Sequence, residues 1–170
     1  MFRHNGRDGL SFLAQQTTKY IPIGDKFEIN LGPDPEVIFE LIKLKSYRDN
    51  IWMQLHGMDV YRRVDDGSVQ FDARSSVAGW TDHEVYTQRI RNYTAKAIEV
   101  EVRRPFDGDV SFQSQLPGIK LFDFQTPEFK TSVAPGKRVD LLYEVIRQQG
   151  RNAKQQRVEL IDKPVQRSSH

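Results

Sequence analysis

The residues best suited to chemistry lie in short polar clusters. Thr81-Asp82-His83-Glu84 sets an aspartate, a histidine and a glutamate in a row beside Trp80. On an extended backbone, adjacent side chains leave opposite faces, so Asp82 and Glu84 share one side and His83 points away. A metal ion would meet two carboxylates there. His56 or His4 would have to come from elsewhere in the chain, and tetrahedral zinc favours closer histidine spacing. Asp107-Gly108-Asp109 and Asp65-Asp66-Gly67 each offer a carboxylate pair, whereas calcium takes six to eight oxygens. Both triplets read first as hairpin turns in which Asp accepts local backbone hydrogen bonds. The serines of "RSSVAG" and "DVSFQSQ" sit in no G-x-S-x-G strand-elbow-helix pattern. Among 23 Asp and Glu, no pair for glycoside hydrolysis can be chosen by type alone. The reading therefore assigns no catalytic, cofactor-binding or metal-binding residue.

Two further groups of side chains could hold a ligand. The arginine pairs Arg62/Arg63, Arg89/Arg91 and Arg103/Arg104 would suit an anion, but Glu99 and Glu101 are expected opposite Arg89 and Arg91. A neutralised, solvated sheet face is the preferred account. Trp52, Trp80, Tyr61 and Tyr86 could stack on sugar rings. Both tryptophans flank apolar runs, and aromatic side chains more often fill a β-sheet core. "NYT" at Asn92 is formally a glycosylation sequon; it reads as a turn in which the Asn side chain ties down the backbone.

Bulk properties limit the function classes. The chain has 170 residues, 38% of them hydrophobic and 28% charged, about one domain able to bury a core without staples. Cysteine is absent, which excludes disulfides, thiolate nucleophiles and Cys-ligated zinc. The formal charge is +2. Residues 151–170 carry five Lys/Arg and two Asp/Glu, a surplus of +3, leaving −1 on the rest. Nucleic-acid binding wants a basic stripe across a folded face, and the excess here is confined to the end of the chain. No apolar run approaches the roughly 18 residues of a membrane span, and "FRHNGRDGLSF" has no basic-then-apolar leader pattern.

These side chains would be positioned by strands. Alternation dominates: Phe27, Ile29 and Leu31 in "KFEINL", Ile98, Val100 and Val102 in "IEVEV", Val139, Leu141, Tyr143 and Val145 in "RVDLLYEVI". "EVIFELIKLK" fits a strand or a short helix; its β-branched and aromatic content, with Pro35 before it, favours a strand. "IPIGD" and "LGPDPE" read as turns around "KFEINL", with Gly32 supplying freedom and Pro33 and Pro35 stiffness. A phosphate cradle would need a helix after the glycine loop, and none is predicted. "APGK" is another turn. The one late helix candidate, "QQGRNAKQQRVEL", is weakened by Gly150 and Asn152. A hairpin is predicted from "HEVYTQRIRNYTAKAIEVEVRRP". It pairs Ile90 with Ile98, Gln88 with Val100 and Tyr86 with Val102, and on the other face Arg89 with Glu99 and Thr87 with Glu101. Gln88 is its one inward misfit. Strands every ten residues or so predict an all-β fold, a single antiparallel β-sandwich domain of immunoglobulin/fibronectin-like type.

"YIPIGDKFEINLGPDPEV", "RIRNYTAKAIEVEV" and "VAPGKRVDLLYEV" resemble a bacterial family known as domain of unknown function 4139, the C-terminal domain of mucoidy inhibitor A-like proteins. The likeness runs from about Lys19 to Leu160. It implies an all-β domain in a periplasmic or extracellular setting and carries no catalytic residue with it. Family members typically have an N-terminal domain and a coiled coil upstream. "MFRH", "NGRDG" and "LSFLAQQ" read as strand, turn, strand, and a start inside a hairpin suggests that a longer protein precedes Met1. The expected organisation is a hairpin over 1–18, either part of the domain or continued from upstream, a sandwich over 19–160 and a flexible tail over 161–170. The expected function is non-catalytic: an interaction or structural module that binds a protein partner or other domains of a longer chain, with no nucleic acid, membrane insertion or cofactor. Carbohydrate binding through exposed aromatics is the alternative, and a hydrolase with a loop-built site stands third.

Overall fold

The computed structural model describes residues 2–4, 10–12, 17, 32–55, 61–64 and 75–165, with backbone only at 2–4, 10–12 and 61–64. The strands are β1 (Phe2–His4), β2 (Leu10–Phe12), β3 (Val37–Leu55), β4 (Tyr61–Val64), β5 (Ser75–Asn92), β6 (Ile98–Arg103), β7 (Asp109–Gln113), β8 (Lys120–Asp123), β9 (Thr126–Val133), β10 (Arg138–Gly150) and β11 (Arg157–Ile161). No helix occurs among the described residues, so the chain is all-β over them. "EVIFELIKLK" is the start of the 19-residue β3, and the late helix candidate is instead the end of β10, a turn and β11. β1 and β2 form the predicted N-terminal hairpin, with Phe2 opposite Phe12.

The bend ahead of β3 is built by Asp34. Its carboxylate accepts the Glu36 N–H at 2.9 Å and its carbonyl accepts the Val37 N–H at 3.1 Å, while Gly32 takes φ +80°. "GPDPE" is therefore a turn that launches a strand, as read; "KFEINL" and "IPIGD" lie outside the described residues.

Two larger sheets follow. One has six strands in the order β11-β7-β10-β5-β3-β4, and the other has three in the order β6-β9-β8. Among the described residues, all pairings are antiparallel except β11 with β7. The core draws on both sheets: Ile90, Phe112, Tyr143 and Val145 of the six-stranded sheet cluster with Val100, Phe129 and Val133 of the other. Burying a side chain of this size stabilises by about 1.5–3 kcal/mol. The inward set of β10 is as predicted from alternation: Leu141, Tyr143 and Val145 are buried and Val139 packs against them.

The predicted hairpin does not form. Both edges of β5 are taken, one by β3 and one by β10, so Ile90 lies opposite Phe39 and Val139. β6 joins the other sheet, with Ile98 opposite Val133 and Val102 opposite Phe129. Arg89 consequently pairs with Asp140 at 2.9 Å and Glu40 at 3.7 Å, and Glu101 with Lys130 and Arg103. Alternation fixes which side of a strand is buried but not which strand lies beside it. The corner between β5 and β6 is held by Asn92, whose side chain is 1% exposed. Its amide donates to the carbonyls of Lys96 (2.7 Å), Val133 (2.9 Å) and Ala134 (3.3 Å). Its oxygen accepts from the Thr94 N–H (2.9 Å) and hydroxyl (2.7 Å). Gln88, the inward misfit, is satisfied by the Glu40 carbonyl at 3.2 Å.

Candidate functional site

Two surfaces stand out: a strand edge that no described strand covers, and a polar groove. The edge belongs to β3. From Val37 to Asp49, Leu44 apart, this strand pairs with β5 on one side, and β4 joins its other side from Ile51 onwards. Among the described residues, no strand covers the outer edge of Val37–Asn50. Large apolar side chains are unusually exposed along it: Phe39 is 54% exposed, Leu44 53% and Leu41 46%, with Ile38 and Tyr47 close behind. Phe39 and Leu41 share the inward face with Ile90 and Leu141, as their register shows. Leu44 sits at an irregularity in the β3–β5 register, which lets a bulged residue leave the regular alternation. A second, shorter apolar edge carries Leu121, Phe122 and Phe124 at the β8 end of the small sheet. There the guanidinium of Arg103 lies 3.9 Å from the centre of the Phe122 ring.

The groove lies on the inward face of the six-stranded sheet, beside the connection from β6 to β7. It is an open cavity of about 730 Å³ lined by Glu84, Tyr86, Arg104, Phe106, Arg147 and several glutamines, with Asp107 and Asp109 also on its wall. Register explains who points in. Tyr86 and Tyr143 face each other, Glu84 lies opposite Val145, and Asp82 opposite Arg147. Asp82 and Glu84 thus share a face with the core, and His83 is on the other side, as the spacing of "TDHE" required.

The acids of this face have partners. Glu84 forms an ion pair with Lys43 and accepts the Tyr86 hydroxyl at 3.0 Å; the Lys43 hydrogen bond is the main reason its carboxyl is held below the ordinary range. Burial alone would raise Asp82, but hydrogen bonds from Arg48 (2.8 Å) and the Trp80 indole (2.9 Å) bring it below the usual value. Arg104 enters the aromatic core: its guanidinium is 4.8 Å from the Tyr86 ring and 5.1 Å from Phe106, and it donates to the Tyr143 hydroxyl at 2.6 Å. Burial pushes the Tyr143 phenol up, and the nearby Arg104 charge opposes that shift.

His83, on the opposite face, stacks on Tyr47 with ring centres 4.4 Å apart. Its Nδ1 faces Glu144 at 2.8 Å and its Nε2 faces Asp49 at 3.1 Å, so both nitrogens are engaged. Among the described residues no group of three His, Asp or Glu is arranged to hold a metal ion. Asp109 accepts the Lys154 N–H at 3.0 Å and works as a loop tie. Trp80 has one face under the Arg48 guanidinium at 4.6 Å, and the half-buried Trp52 donates to Asn50 at 3.2 Å. His56, Asp65, Asp66 and Gly67 lie outside the described residues, as do the side chains of His4, Tyr61, Arg62 and Arg63.

Arg147 and the Val37–Asn50 edge went unremarked in the sequence. For Arg147 a signal existed: the inward series Tyr143, Val145 continues to position 147, which places a charge on the core side of a strand. Compared with protein-family models, with curated proteins and with solved structures, the chain matches none.

Proposed function

We propose that this protein is a non-catalytic interaction module whose β3 edge receives an extended segment of a protein partner. The observation that carries this reading is the β3 edge over Val37–Lys43, which no described strand covers, with Phe39 and Leu41 exposed along it and Leu44 exposed just beyond. A bare strand edge is a template for another chain. Added strands gain affinity from main-chain hydrogen bonds and selectivity from alternate side chains. The expected occupant is a strand with apolar residues at alternate positions, which would lie against Phe39 and Leu41. On this reading the two sheets with their shared core are the layers of a β-sandwich of immunoglobulin/fibronectin-like type. Residues 19–160 are a relative of domain of unknown function 4139, and the setting is periplasmic or extracellular. The sequence resemblance, the all-β chain and the core drawn from both sheets support these assignments.

Sugar stacking on aromatics ranks second. Trp80 has a face taken by Arg48 and Tyr86 is buried, which leaves little free ring surface at either. The test is selection of displayed random peptides against the intact chain. The expected binders alternate apolar and polar residues, slow hydrogen exchange along β3, and lose at least about tenfold in affinity against Leu41→Lys, a change at an exposed position. Binders that leave β3 amides unprotected and bind Leu41→Lys equally well would overturn the proposal.

A further inference from the structure

Two arginines, Arg104 and Arg147, line the groove together with Glu84, Asp107 and Asp109, and among the described residues neither arginine is in contact with these acids. Arg147 projects from the inward face of β10, opposite Asp82 on β5 and Val110 on β7. Its Nε is shut off from solvent and has no hydrogen-bond partner. A buried donor left unmade is costly and uncommon in folded proteins. The acids that could satisfy it are committed elsewhere. Asp82 is held by Arg48 and Trp80. Glu84 is held by Lys43 and Tyr86, so its attraction for Arg147 acts without a contact. Arg104 opens onto the same cavity. It spends one N–H on Tyr143, and among the described residues neither arginine has a carboxylate within ion-pair distance. Asp109 is tied to the Lys154 backbone, and Asp107 is exposed.

We infer that this groove is a binding site for a carboxylate group, with Arg147 and Arg104 as its cationic side chains. A guanidinium presents a planar fork that matches the two oxygens of a carboxylate. On Arg147 the terminal nitrogens make that contact, because Nε is closed to solvent, and the aromatic contacts of Arg104 with Tyr86 and Phe106 fix its direction in advance. The glutamine amides of the wall supply neutral donors and acceptors for the remainder of the ligand. The site is separate from the β3 edge, and its occupancy does not depend on that edge taking a strand.

The experiment is NMR titration of the intact chain, following the Nε–H resonances of Arg147 and Arg104. The probes are glutarate, the capped peptide acetyl-Gly-Glu-Gly-amide and its uncharged glutamine counterpart. Saturable shifts at Arg147 with glutarate and the glutamate peptide, absent with the glutamine peptide, are expected. Tighter binding of glutarate would point to a small free acid, and tighter binding of the peptide to an acidic side chain in a protein. Arg147→Gln should weaken binding at least about tenfold, and its amide spectrum reports whether the fold is intact. Arg104→Lys keeps the charge but loses the fork and should also weaken binding. Shifts of equal size with the glutamine peptide, or no saturable shift with either carboxylate, would overturn the inference.

Discussion

Replacing Asn92 by alanine tests how the chain passes from one sheet to the other. The side chain is buried and makes its contacts to backbone that belongs to three segments: the turn after β5, the end of β9 and the start of the β9–β10 connection. Alanine removes the two amide protons shared among the carbonyls of Lys96, Val133 and Ala134, and it removes the acceptor for Thr94. Net hydrogen bonds are worth about 0.5–1.5 kcal/mol each, and a buried group left unpaired costs about 1–3 kcal/mol. Thr94 and some of the carbonyls can turn to water, so the expected loss is about 2–4 kcal/mol. Urea denaturation followed by far-ultraviolet circular dichroism would measure it, with the slope checked for constancy. The neighbouring Tyr93 is exposed, and Tyr93→Ala should change stability by under about 0.5 kcal/mol. Asn92→Asp sharpens the experiment. It keeps the acceptor for Thr94 but turns a carboxylate oxygen toward three carbonyl oxygens, so at neutral pH it should be worse than alanine. An Asn92→Ala protein within about 0.5 kcal/mol of wild type would refute the account of this corner.

Three other outcomes are expected. Ile90→Ala should cost about 2–5 kcal/mol in the same assay, since Ile90 is wholly buried; a loss under about 1 kcal/mol would contradict the shared core. Gly150→Ala should cost more than Gly118→Ala. Both glycines have positive φ, but an added Cβ at Gly150 would sit 2.3 Å from the Ala78 carbonyl oxygen, whereas at Gly118 it would meet nothing within 4 Å; equal losses would deny the close β5–β10 approach. Acid should destabilise the protein in a way that Glu84→Gln blunts. The Glu84 carboxyl is held below its ordinary value in the folded state. Its contribution is therefore complete above the unfolded value of about 4.3 and is lost as pH falls through the lower folded one. Urea midpoints measured from about pH 6 down to about pH 2 should fall less steeply for Glu84→Gln, and parallel curves would contradict the pairing with Lys43.

Side-chain direction was legible in the sequence wherever a strand alternates. Leu141, Tyr143 and Val145 turn inward, as do Ile98, Val100 and Val102, and Asp82 and Glu84 part from His83. The Asp34 bend and the ties made by Asn92 followed from the local chemistry of Asp and Asn. Strand partnership was not legible. Ile98, Val100 and Val102 suit any apolar neighbour, and the fit to Ile90 and Tyr86 in a simple hairpin was as good on paper as the observed fit to β9. What decides is nonlocal: β5 already has β3 and β10 on its two edges, a fact spread over more than a hundred residues. The groove was hidden for the same reason. Arg104 read as half of a solvated arginine pair, and only the meeting of β5, β6, β7 and β10 puts it against Tyr86, Phe106 and Tyr143.

The β3 edge that no described strand covers bears most directly on the proposed role, and amide hydrogen exchange of the free protein measures it. In an edge strand with one partner, every second N–H points away from that partner. Over Val37–Lys43 the prediction is alternation: amides bonded to β5 exchange slowly and those between them exchange fast. Uniform slow exchange along this stretch would mean that the edge is already occupied, and the proposed docking surface would not exist.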